Sequence, residues 1–240
     1  MTTVVLVRHG RTTANAAGVL AGWSPGVALD DAGRQQAAAL AHRLAAVPLA
    51  AVVSSPLERC RQTAAALVEG RAGGLATDVS TDERLGECRY GDWTGKEIKK
   101  LAKDPLWRVV QAHPSAVTFP SSDGFPGESM RDMQLRAVDA VRDWNARLGE
   151  DAVWVALSHG DVIKAVAADA LGVHLDQFQR VVVDPCSMTI INYTPLRPFV
   201  VRLNDVGADV SALMPPKRRG RRARRAAGDA VVGGGAGPGT

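Results

Sequence analysis

The chain has only three cysteines in 240 residues, Cys60, Cys88 and Cys186. They are too few and too scattered to staple a disulfide scaffold, and a reducing cytoplasm is the expected setting. No apolar run approaches the ~20 residues that a membrane helix needs. The N-terminus enters an apolar segment directly, with no basic-then-apolar leader, so neither secretion nor membrane insertion is expected. Several phosphate-handling signatures are missing. There is no Gly-x-x-x-x-Gly-Lys loop and no Asp-x-Asp pair. No cysteine is followed six residues later by arginine; Ala66, Thr94 and Asn192 stand there instead. Neither a Gly-x-Ser-x-Gly elbow nor zinc-ligand spacing among the five histidines occurs, so triad hydrolysis and a structural zinc find no support. No metal and no cofactor are expected.

What is present is a soluble core composition, 46% hydrophobic and 22% charged. The net charge of +4 is unevenly placed. Residues 215–240 hold seven basic residues against Asp229, so the rest of the chain is mildly acidic. The composition shifts near residue 210, which divides the chain into a domain over 1–210 and a basic, then glycine-rich tail over 211–240. Such a tail cannot build a core and is expected to be disordered. Its arginines suit nucleic acid or an anionic membrane surface. A merely solubilising role is the preferred reading, with turnover independent of the tail.

Within the domain, apolar runs alternate with helical periodicity. Val4–Val7, Ala50–Val53, Thr77–Thr81 and Ala152–Leu157 read as strands, and Ser187–Tyr193 with Pro198–Leu203 as a terminal hairpin. Helices are predicted from Asp30 or Asp31 through Ala45, over Leu57–Leu67, over Glu128–Leu148 and over 161–171. Thr94 and Glu97 form a capping-box pattern for a helix through Leu101. This alternation predicts a three-layer α/β/α sandwich with a mostly parallel central sheet.

Two predicted strands end in histidine. Val4-Val5-Leu6-Val7 runs into Arg8-His9-Gly10, and the Ala152–Leu157 strand into Ser158-His159-Gly160. Ligands of open α/β sheets bind beyond the carboxyl ends of strands. Arg59, after the strand ending in Ser54-Ser55-Pro56, would join these side chains if the strands are neighbours. Two guanidiniums and two imidazoles suit a phosphoryl group.

The chain resembles the histidine phosphatase (phosphoglycerate mutase-like) superfamily from about residue 3 to about residue 204. The resemblance rests on Arg8-His9-Gly10 with Asn15, Ser55-Pro56-Leu57-x-Arg59, Leu85-Gly86-Glu87 with Tyr90-Gly91-x-Trp93-x-Gly95, Gly127-Glu128-Ser129 and Ser158-His159-Gly160. It implies His9 as the nucleophile that becomes phosphohistidine, and Glu87 as general acid and base. It further implies that Arg8, Arg59 and His159 hold the phosphate oxygens, assisted by Asn15 and Thr12. For imidazole to attack it must be neutral, so the second nitrogen of His9 is expected to be anchored on a backbone carbonyl. Glu87 must be protonated to release an alkoxide, and a nearby phosphate is expected to raise its pKa.

Arg11 departs from the family, where an acid or amide is common, and adds a positive charge near the site. The implied activity is hydrolysis of a small phosphate ester, a sugar phosphate or phosphoglycerate derivative. A phosphomutase is the alternative, for which the covering segment offers Lys96, Lys99, Lys100, Lys103 and Arg108. These read as a solvated face. A phosphate-binding protein without catalysis is a third reading, opposed by the presence of both His9 and Glu87. Relatives are often dimers, and the late strands near Ser187–Leu203 could pair between copies.

Overall fold

The computed structural model describes residues 1–69, 78–207, 232–235 and 237. The elements run β1 (Thr2–Arg8), α1 (Thr13–Ala16), α2 (Asp31–Leu44), β2 (Ala51–Ser54), α3 (Glu58–Val68) and β3 (Val79–Thr81). There follow α4 (Ile98–Leu101), α5 (Pro105–Ala112), α6 (Met130–Leu148), β4 (Val153–Ser158), α7 (Gly160–Leu171), β5 (Met188–Tyr193) and β6 (Pro198–Asp205). These strands form one sheet in the order β3-β2-β4-β1-β5-β6. β3, β2, β4 and β1 are mutually parallel, while β5 and β6 run as the expected antiparallel hairpin.

Strand periodicity explains the layering. In β1, Val4 and Leu6 pack into the cluster that holds Met130, Met133, Ala137 and Val141 of α6. Val5 and Val7 pack on the other face with Ala37, Leu40 and Leu44 of α2 and with Ala64 and Leu67 of α3. β4 divides in the same way, Trp154 and Ala156 to one side, Val155 and Leu157 to the other. A strand buried on both faces must be apolar throughout, and the runs in β1 and β4 are. The methionines of α6 are core, and Ser129 caps this helix by accepting from the Asp132 amide.

Register brings the functional ends together. Arg8 lies opposite Ser158 and Ser54 opposite Leu157, so β1, β4 and β2 terminate side by side. Gly10 is required by close approach: a Cβ there would lie 2.6 Å from the carbonyl oxygen of Gly33 in α2.

One local expectation differs from what is observed. Thr94 does not cap the helix of residues 98–101. Glu97 precedes it without a side-chain cap and instead pairs with Lys99 and Lys100 at 2.9 Å. Thr94 instead ends the turn of residues 91–93, its amide already bonded to the Gly91 carbonyl, and the helix starts four residues later. Within the expected tail, Val232 is buried in the main hydrophobic cluster of the domain. The basic run over Pro215–Ala227 lies outside the described residues.

Candidate active site

The carboxyl ends of β1, β2 and β4 converge on a small enclosed cavity lined by His9, Thr12, Asn15, Gly22, Arg59 and Glu87. His9 follows β1, and its Nδ1 lies 2.7 Å from the Gly10 carbonyl oxygen. A carbonyl only accepts, so Nδ1 carries the proton and Nε2 keeps its lone pair. Arg59, in the first turn of α3, donates from Nε to that Nε2 at 3.3 Å and from Nη2 to the Gly22 carbonyl at 2.8 Å. Burial, and then the positive charges of Arg59 and Arg8, hold the His9 pKa well below the ordinary imidazole value. The ring is therefore neutral at physiological pH, and its lone pair faces the cavity's cationic corner.

His159 faces His9 with ring centroids 5.2 Å apart. Its Nε2 is hydrogen-bonded to Ser55 Oγ at 2.8 Å, and Ser55 in turn accepts from the Leu57 amide. Burial and the neighbouring Arg59 also hold His159 neutral. Cys60 packs its Sγ 3.4 Å from His159 Nε2, and burial pushes its thiol up to about 12, so it is an inert space-filler.

Glu87 sits 3.8 Å from His159 Nδ1 through Oε2, while Oε1 accepts from the Cys88 amide at 2.9 Å. Its carboxyl is pushed up to about 7, first by burial and then by the negative charge of Asp161, against the pull of Arg59 and Arg8. A bound phosphate is not needed to raise it; the protein interior does so unaided.

Thr12 and Asn15 reach the cavity as one unit. Thr12 caps α1, and Asn15 Oδ1 accepts from both the Thr12 amide and its hydroxyl, at 3.1 and 2.9 Å. Arg8 is fully buried, and its guanidinium donates to backbone carbonyls: Val183 at 2.9 Å, Gly233 at 3.2 Å and Gly235 at 2.6 Å. The extra charge of Arg11 pairs with Asp30 at 2.8 Å, in the cap of α2, rather than entering the cavity.

Several contributors carry no signal of their own in the sequence. Arg136 of α6 clamps the Glu87 loop, donating to the carbonyls of Arg84, Gly86 and Glu87 at 2.7–3.0 Å while paired with Glu128. Trp23 donates to the Glu87 carbonyl at 2.6 Å, with Arg89 stacked 4.1 Å above its ring. Asp161, at the start of α7, accepts from the Tyr90 hydroxyl at 2.8 Å and the Gly233 amide at 3.0 Å. The Gly127-Glu128-Ser129 motif points to Glu128, but its partner Arg136 reads in sequence as one more arginine on a polar helix face.

Paired imidazoles, guanidiniums and a protonatable carboxyl, gathered at the carboxyl ends of a mostly parallel sheet, define an enzyme that hydrolyses small phosphate esters through a histidine. The chain belongs to the histidine phosphatase superfamily (branch 1), whose model matches residues 4–206. It is 35% identical over 183 residues to the glucosyl-3-phosphoglycerate phosphatase of Mycolicibacterium vanbaalenii, covering 73% of this chain and 76% of that protein. It is 30% identical over 195 residues to a probable phosphoglycerate mutase, GpmB, of Erwinia tasmaniensis, covering 80% and 86%. The solved structure of Bacillus stearothermophilus YhfR superposes with a TM-score of 0.76 at 31% identity, covering 86% of this chain and 98% of that one. Among the described residues, no three His, Cys, Asp or Glu side chains are grouped to hold a metal ion, and no helix is long and apolar enough to cross a membrane.

Proposed function

We propose that His9 is the nucleophile and Glu87 the general acid and base of a phosphomonoesterase, with Arg8, Arg59, His159, Asn15 and Thr12 binding the phosphoryl group. The observation that carries this reading is the polarity of His9: Nδ1 held by the Gly10 carbonyl, and Nε2 unprotonated, its lone pair accepting from Arg59 Nε, a donor that a phosphoryl oxygen would take over. Nε2 forms a bond to phosphorus as the ester P–O bond breaks. The departing alkoxide takes the proton of Glu87, whose raised pKa keeps a substantial fraction of the molecules protonated near neutral pH. Water then attacks the phosphohistidine, giving its proton to the Glu87 carboxylate, and phosphate leaves. Cationic donors stabilise the oxygens of the transferring group throughout.

Hydrolysis is favoured over mutase chemistry by the rest of the lining of the cavity beside His9. Val19, Leu20, Ala21 and Ile98 line it, and apart from Arg59 the described lining offers no cation for a second phosphate. Of the covering segment, only Ile98 is in the described lining. Lys96 pairs with Asp92, and Lys99 and Lys100 pair with Glu97 at the surface. The similarity to a glucosyl-3-phosphoglycerate phosphatase makes sugar phosphates and phosphoglycerate derivatives the first substrates to try. A hydrolysis screen across such esters, run beside His9→Ala, tests the reading. Near-full hydrolysis by the variant refutes it. Conversion of 3-phosphoglycerate to its 2-isomer with a trace of bisphosphate would favour the mutase.

The proposed catalytic domain spans residues 1–210 and works in the reducing cytoplasm, which three buried free thiols support. A homodimer is part of this reading. β6 is an edge strand with exposed Phe199, Val201 and Leu203 on alternate positions, and a sedimentation experiment decides it.

A further inference from the structure

The cavity beside His9 has a volume of about 20 Å³. That is room for about one water molecule, far less than a phosphate ester requires. What closes it is the chain's own later segment: Val232, Gly233 and Gly235 line the cavity together with Arg59 and Glu87. We propose that residues 232–235 form an autoinhibitory strap, whose carbonyls occupy the Arg8 guanidinium that a phosphoryl group would take, so that substrate binds by displacing them. The inference rests on the assignment of this cavity as the phosphate site and adds to it a built-in competitor.

Three features fit the segment to this place. Gly233 and Gly235 present carbonyl oxygens to Arg8 Nη2 at 3.2 and 2.6 Å, taking up a nitrogen whose donors an anion's oxygens would need. The Gly233 amide donates to Asp161 at 3.0 Å, and Val232 is buried in the main core, so the segment is anchored immediately before the contact. Gly233 has φ +73°, so any other residue is strained there, and a Cβ, 2.8 Å from Leu20 Cδ1, would push that side-chain end aside. A glycine-rich strap with no side chains offers only backbone to the guanidinium. Neutral carbonyls bind a guanidinium more weakly than phosphate oxygens do, which lets substrate win the exchange.

Competition reduces apparent affinity by the fraction of molecules with the strap open. Residues 232–240 contain no charged side chain, so their removal tests the strap without altering the basic run before them. In the chain lacking residues 232–240, KM for p-nitrophenyl phosphate and the inhibition constant of orthovanadate should both fall, on the order of tenfold, with kcat retained. Gly233→Val keeps the full length and should shift both constants in the same direction. In the unmodified chain, orthovanadate should accelerate hydrogen exchange of the 232–235 amides, because an anion that displaces the strap must free them.

Unchanged or raised constants in both variants overturn the proposal. Slower exchange with orthovanadate also overturns it, because the segment would then close over the bound anion. If the deletion proves unfolded by its melting curve, Gly233→Val and the exchange measurement still decide. Should neither chain hydrolyse any ester while orthovanadate still opens the segment, the enzymatic reading fails and the strap stands.

Discussion

Replacing Glu87 by glutamine should stabilise the protein while disabling it, and by an amount that grows with pH. The carboxyl is fully enclosed, beside the carboxylate of Asp161, and its pKa is moved from an ordinary 4.5 to about 7. A raised carboxyl pKa means that the folded state binds the proton more tightly than the unfolded chain does. The native state therefore bears no penalty below the unfolded value, an increasing one as pH rises, and a constant one above the folded value. At 1.36 kcal/mol per unit, the full penalty is about 3 kcal/mol, roughly half of it already present near pH 5.5. Glutamine keeps the shape and an oxygen for the Cys88 amide but does not ionise.

The stability gap between Glu87→Gln and the unmodified protein should thus widen by about 2 kcal/mol from pH 5.5 to 8.5. For a domain of this size that is roughly 4–8 °C in melting temperature. Thermal denaturation of both proteins at the two pH values reads it directly, and any fixed offset between carboxyl and amide cancels in the comparison. A gap that stays constant or narrows as pH rises would refute the reasoning. The same variant should hydrolyse alkyl phosphates about 10²–10⁴ times more slowly. Aryl phosphates, whose phenolate departs without a proton, should suffer less.

In the unmodified enzyme, kcat/KM for an alkyl ester should fall above pH about 7 as Glu87 loses its proton, a limb absent from the Glu87→Gln profile. Asp161→Asn removes the second cause of the raised Glu87 pKa, so this limb should move to lower pH; an unmoved limb contradicts the electrostatic account. Arg136→Ala frees three carbonyls and leaves Glu128 without its partner. It should cost about 3 kcal/mol in a denaturant titration and lower kcat more than it raises KM. Chelation should leave turnover unchanged in a direct assay; abolished turnover would contradict a reaction carried by side chains alone.

Much of this site can be read from the chain because its parts follow strands. Arg8-His9 and Ser158-His159 stand after apolar runs that only a doubly covered strand explains, and the parallel register of β1 and β4 places their ends together. Glu87 is different. It lies in an irregular loop with no periodicity, and family resemblance alone singles it out. Arg136 and Asp161 stay hidden because a buried clamp and a helix-end carboxylate look, in sequence, like ordinary charged helix residues. The strap escapes a sequence reading for a physical reason. Glycine-rich composition implies too little side chain to build a core, yet Gly233 and Gly235 engage Arg8 with backbone oxygens, which every residue has and no motif records. Thr94 and Glu97 match a capping box in spacing, but Glu97 finds lysines instead.

The central claim is that one imidazole carries the phosphoryl group. Rapid acid-free quenching of the enzyme with substrate, followed by peptide mass spectrometry under alkaline conditions, tests it most directly. The account predicts an acid-labile phosphoryl adduct on His9, absent from His9→Ala. An adduct on His159, or turnover by the unmodified enzyme with no covalent adduct at any histidine, would contradict it.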